Sequence, residues 1–139
     1  IGLDVKSRMF NQRTSVYTRL HFPVVNPALV KSMVLGIRYD DGFAAYLNGV
    51  RVAADNAPIN PLWSAAALTS RSDRSAVALK SFDLTGWIQL LQAGDNVLAI
   101  HGMNQTTSSS DLLIQAQLTG TVYNVEAPPP RLYWRTAPQ

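Results

Sequence analysis

From Ser15 to Phe22 apolar and polar positions alternate, with Val16, Thr18, Leu20 and Phe22 on one side and Tyr17, Arg19 and His21 on the other. A period of two is that of a β-strand with one buried face. Pro23 and the Asn26–Pro27 pair are expected to end it. The alternation returns at Met33, Leu35, Ile37 and Tyr39, breaks at Asp40–Asp41–Gly42, and resumes at Phe43, Ala45 and Leu47. Asn48–Gly49 follows. Both residue types tolerate the positive φ of a type I′ turn, whose twist matches the strands it joins. Met33–Ala54 therefore predicts a three-stranded meander with turns at Asp40–Gly42 and Asn48–Gly49.

Residues 55–76 lose periodicity and are rich in Asn, Pro, Ser, Ala and Arg, which predicts a long loop carrying Trp63. Loops of that length inside a domain are usually functional or mobile. Val77–Leu84 reads as another strand. Leu84, Trp87, Ile88 and Leu91 then follow helical spacing, with Thr85 placed to cap and Gly94 to stop a short helix. Val97–Gly102 reads as a buried strand, Gly102–Asp111 as a polar loop, and Leu112–Leu118 as the closing strand. Ala127–Pro130 is a stiff proline-rich linker, and Tyr133 and Trp134 are the expected anchors of the tail behind it. The chain thus divides into a module over 1–126 and a linker with tail over 127–139. Short strands, turn signals about every ten residues and one short helix define an all-β class, an antiparallel β-sandwich of jelly-roll type.

Composition narrows the chemistry. A chain of 139 residues suits one domain with one core. The absence of cysteine removes disulfides, thiol nucleophiles and cysteine–zinc sites, and two histidines are too few for a histidine-rich metal site. No apolar run approaches the roughly 18 residues that cross a bilayer, so no membrane partner is expected. The net charge is +3, but residues 1–126 hold ten Lys and Arg against nine acids. The cations are scattered, without the basic stripe that follows a phosphate backbone, so no nucleic-acid partner is expected. Eight of the nine acids are Asp, a turn and cap residue.

Asp40–Asp41–Gly42 puts two carboxylates at a strand end, where hard oxygen donors suit calcium. The same residues suit a turn in which one Asp accepts backbone amides and the other pairs with Arg19 or Arg38, and this is the preferred reading. His21 and His101 have no nucleophile elbow beside them and read as structural residues. With a single Glu the supply of tunable acids is thin, and no enzyme activity is expected. Sugar binding needs less: a ring to stack on a pyranose and polar groups for its hydroxyls. Trp63 has no periodic reason to sit in a polar loop, and reads either as that ring or as a plug over the end of the sandwich. Asn56, Asn60, Asn104, Gln105 and Asp111 are loop polars of the right kind. Trp87, on the helical stripe, reads as core. Tyr46 points opposite to Phe43, Ala45 and Leu47, toward an exposed sheet face.

Three segments taken together carry a resemblance: Ile1–Val5 with Met9 and Ser15–Phe22; Tyr39–Gly49 with Asn56–Ala57–Pro58; and Gly94–His101 with Ser109–Ser110–Asp111. They resemble the galactose-binding-like jelly-roll modules of large secreted bacterial proteins, and are similar to the sugar-binding domain of family 2 glycoside hydrolases. The abrupt start at Ile1 reads as a cut inside a longer protein. The resemblance implies an extracellular module whose relatives in shape include carbohydrate-binding modules, calcium-stabilised adhesins and architectural spacers. The leading expectation is a non-catalytic carbohydrate-binding module, with Trp63 stacking on sugar, Asn56, Asn104 and Asp111 hydrogen-bonding it, and Tyr46 as a further contact. Its partners would be a glycan or polysaccharide and neighbouring domains of the parent chain. One alternative is a structural or protein-docking spacer. The other is an adhesin resembling PA14 domains, with Asp40 and Asp41 as ligands of calcium, the one cofactor in view.

Overall fold

In the computed structural model, which describes residues 3–124, the alternating segments become seven strands. These are β1 (Ser15–Val24), β2 (Val30–Asp40), β3 (Gly42–Leu47), β4 (Val50–Asp55), β5 (Lys80–Asp83), β6 (Gly94–Met103) and β7 (Leu113–Val122). They form two antiparallel sheets, one in the order β1-β6-β3-β4 and the other β5-β2-β7. The core lies between them. Met33, Leu35, Ile37 and Tyr39 of β2 meet Phe43, Ala45 and Leu47 of β3 and Leu98 and Ile100 of β6. These are the inward positions that the period of two predicts, and the molecule is an all-β sandwich of two antiparallel sheets. The linker and tail expected at 127–139, with Tyr133 and Trp134, lie outside the described residues.

The three-stranded meander does not form. Asn48–Gly49 does join β3 to β4 as a hairpin, with φ of 48° and 87° at the two turn residues. Asp40–Asp41, by contrast, is a corner between the sheets. Both edges of β2 are taken by β5 and β7, and the Asp41 N–H donates to the Met103 carbonyl of the opposite sheet at 3.0 Å. Tyr39 and Phe43 still both point inward, their ring centroids 4.7 Å apart and the planes tilted by 60°. A corner and a hairpin leave the same apolar alternation, so the pattern alone does not separate them. Gly42 is required at the corner by a close approach: a Cβ there would lie 2.3 Å from the Asn56 carbonyl oxygen.

Other boundaries shift for local reasons. β1 runs through Pro23 to Val24, because it is an edge strand and a missing N–H costs a ladder nothing on its open side. The helix expected near Leu84–Leu91 is a 3₁₀ helix over Thr85–Leu90. Thr85 does not cap it; its hydroxyl accepts the Met33 N–H of β2 at 3.3 Å. Trp87 is 37% exposed and is not core. The strand expected over Val77–Leu84 is confined to β5, and two four-residue helices, α1 (Lys6–Met9) and α2 (Asp73–Ala76), lie where none was expected.

Candidate functional site

The outer face of the four-stranded sheet carries the site. Register places Tyr17 of β1, His101 of β6, Ala44 of β3 and Ala54 of β4 in one row across it. The segment after β4 folds back over this row. Ala44, Ala67 and Met103 form a small second cluster, against which Tyr46, Ala54, Ala57 and Ala65 pack. Small side chains let the loop backbone lie close to the sheet, where its carbonyls become acceptors. The Thr14 hydroxyl is shared between the Ser64 and Ala65 carbonyls at 3.1 Å each, Ser15 donates to Ala65 at 2.5 Å, and the Tyr17 hydroxyl oxygen lies 3.3 Å from the Trp63 carbonyl oxygen.

His101 is the centre of this arrangement and is 1% exposed. Its Nε2 lies 2.8 Å from Ser15 Oγ and its Nδ1 3.2 Å from Tyr17 Oη, while the Tyr17 ring stacks on it at 4.2 Å. The single Ser15 hydroxyl proton points to the Ala65 carbonyl, so His101 Nε2 is the donor in the Ser15 contact. In that tautomer the imidazole cannot take the Ser15 proton, and the pair serves as a clamp between sheet and loop. Burial holds the His101 pKa below its ordinary value, which favours the neutral ring. His21, at the far end of β1, pairs in the open with Asp95 at 2.8 Å.

Beside the clamp lies a cleft of about 540 Å³, lined by Gln12, Arg13, Thr14, Ser15, Tyr17, Trp63, Ser64 and Thr107. Trp63 is 70% exposed and Tyr17 44%. The tryptophan therefore does not plug the end of the sandwich.

The residues expected to join Trp63 go elsewhere. Asn56 is consumed internally: its Nδ2 donates to the Asp41 and Thr69 carbonyls, and its Oδ1 accepts the Thr69 N–H and hydroxyl. Asn104, 3% exposed, donates through Nδ2 to the Asp111 carbonyl, and both residues line a separate cavity of about 300 Å³ that ends against Met9 and Phe10. Tyr46 is half-buried in the second cluster. Tyr17, Arg13, Gln12 and Thr107 take their place at the cleft. Tyr17 was legible as an outward position of β1; nothing in the sequence pattern linked it to Trp63.

Asp40 and Asp41 are buried, at 4% and 5% exposure. Neither pairs with Arg19 or Arg38. Asp41 accepts the Arg71 N–H at 2.5 Å and the Gln105 N–H at 2.8 Å, which pins the two loops that flank the corner. Arg38 instead donates to the Val77 carbonyl and to Gln115. Burial, and after it the charge of Asp41, pushes the Asp40 pKa up to about 7. Asp40 Oδ1 and Asn104 Oδ1 are both buried without a hydrogen-bond partner. These two orphaned oxygens suit a hard cation, but calcium takes six to eight oxygen donors. Among the described residues no group of three His, Cys, Asp or Glu side chains converges to hold a metal. No helix among them is long and apolar enough to cross a membrane.

No known protein family matches the chain, and no curated protein matches it significantly.

Proposed function

We propose that the chain is a non-catalytic carbohydrate-binding module of galactose-binding-like, jelly-roll type, acting outside the cell within a larger secreted polysaccharide-active or surface protein. The observation that carries the reading is the exposed indole of Trp63, set beside Tyr17 in a cleft rimmed by Gln12, Arg13, Ser64 and Thr107. An exposed ring costs hydration unless a ligand covers it, and the apolar face of a pyranose is a matching surface. The polar rim supplies donors and acceptors for sugar hydroxyls. The His101–Ser15–Ala65 clamp holds the loop that presents Trp63, so the platform is preorganised.

Titration or affinity-gel electrophoresis against a broad polysaccharide panel, with and without calcium, tests this. The wild type binds at least one polysaccharide, whereas Trp63→Ala loses binding with its thermal midpoint unchanged. Flat isotherms across the whole panel overturn the proposal.

A second reading, a structural calcium at the corner, is favoured by the orphaned oxygens of Asp40 and Asn104. The buried carboxylates would then brace the loops at 69–73 and 104–111 and would not touch sugar. A drop in the thermal midpoint on adding a chelator supports it; an unchanged midpoint removes it.

A further inference from the structure

Resting on the glycan reading, we infer that the Trp63 cleft prefers an acidic polysaccharide built of uronic acids. Among the described residues the cleft is lined by one charged side chain, Arg13, and by no carboxylate. Arg13 is exposed and makes no ion pair among the described residues. Arg19 lies two residues beyond Tyr17 on the same outward face of β1, and it too is exposed and without an ion pair there.

Among the described residues, Asp40, Asp41 and Asp111 belong to the corner and the second cavity, Asp55 is held by Tyr39 and Lys80, and Asp95, at the far end of this same face, is paired with His21. A guanidinium with no ion-pair partner among the described residues, open to water, presents a fork of N–H donors whose geometry matches a carboxylate. A pyranuronate stacked on an indole carries its carboxylate at the ring edge, where a neighbouring side chain of the rim reaches it. Trp63 then reads the apolar face of the sugar and Arg13 its charge, a combination that a neutral sugar satisfies only in part.

The test compares polygalacturonate, alginate and neutral galactan with the whole chain at low and high salt. The expected result is a preference for the two polyuronates over galactan of roughly fivefold to tenfold, the worth of one charge-assisted contact in an open cleft. That preference fades in about 0.5 M salt, where screening is short-ranged. Arg13→Gln loses the preference, its affinities for polyuronates and galactan converging while the thermal midpoint stays unchanged; Arg13→Lys keeps part of it. Galactan bound as tightly as the polyuronates, or a preference untouched by Arg13→Gln, overturns the inference and leaves the glycan reading standing. Absence of binding to all three and to every other neutral polysaccharide overturns both.

Discussion

Tyr17 lies flat against the buried imidazole of His101, with ring centroids 4.2 Å apart and planes within 19° of parallel. One face of the tyrosine is thus spent on the protein, and its hydroxyl reaches the Trp63 carbonyl and His101 Nδ1. The partly exposed ring at the cleft and the buried base beneath it are one unit, so a change in either is expected to disturb the loop that carries Trp63.

Replacing His101 by Ala removes a buried ring and leaves the Ser15–Ala65 contact unsupported. A loss of about 2–4 kcal/mol is expected from the cavity and the broken hydrogen bonds together. Urea denaturation measures it, and limited proteolysis within 60–68 should accelerate in the same variant.

The same residue imposes a pH dependence. In the unfolded chain His101 takes up a proton near pH 6.5, whereas burial lowers its folded value. The unfolded chain therefore binds more protons just below pH 6.5, and the stability present above that pH is lost as it falls toward the folded value. His101→Gln, which keeps an amide donor but cannot titrate, should show a flatter curve between pH 7 and 5. Denaturation midpoints of the two proteins across that range check it; parallel curves would rule the effect out.

Asp40 titrates in the opposite sense. Its folded pKa is raised from 3.8 to about 7, first by burial and then by Asp41. Its contribution is complete below the unfolded value and is lost as pH rises through the folded value of about 7. Asp40→Asn is isosteric and cannot ionise, so at pH 8 it should be more stable than the wild type by roughly 1–2 kcal/mol. Near pH 4 the two should melt together. A calcium-dependent gain in the wild type that Asp40→Asn lacks would support the structural cation.

Gly42→Ala places a methyl group 2.3 Å from the Asn56 carbonyl oxygen and 3.1 Å from the Ala67 side chain. Neither backbone has room to retreat without parting the loop from the sheet. A cost of about 2–3 kcal/mol is expected for this overpacking, seen as a lower urea midpoint.

Asn48 is more than a turn residue. Its Nδ2 donates to the Leu90 carbonyl and to Asn96 Oδ1, and its Oδ1 accepts the Val97 N–H at 2.9 Å. Asn48→Gly keeps the turn conformation but orphans these groups; Asn48→Ala does that and strains the positive φ as well. Losses of about 2 and about 3 kcal/mol, in that order, are expected from unpaired buried groups and then added backbone strain. Equal losses would mean that the backbone conformation contributes nothing.

Much of the fold was legible because burial imposes a period of two on any strand with one inward face. Met33, Leu35, Ile37 and Tyr39, then Phe43, Ala45 and Leu47, were marked as core by that period alone, and all are buried. Asn48–Gly49 marked its hairpin through a backbone preference carried by the two residues themselves. Trp63 stood out because a large ring in a polar loop has no local cause.

Partnership was decided only in three dimensions. Whether Asp40–Asp41–Gly42 folds β3 onto β2 or carries the chain into the other sheet depends on which strands occupy the edges of β2, and β5 and β7 lie far along the chain. The companions of Trp63 were set by the loop's return over β1 and β6, which exposes Tyr17 and Arg13 beside it while Asn56 and Asn104 turn inward to satisfy backbone groups. Local sequence governs the conformation and inward face of a segment, because sterics and burial act on each residue where it stands. Which polar side chains stay free for a ligand is what remains after the folded backbone has claimed its hydrogen bonds, and that claim is made by the tertiary structure.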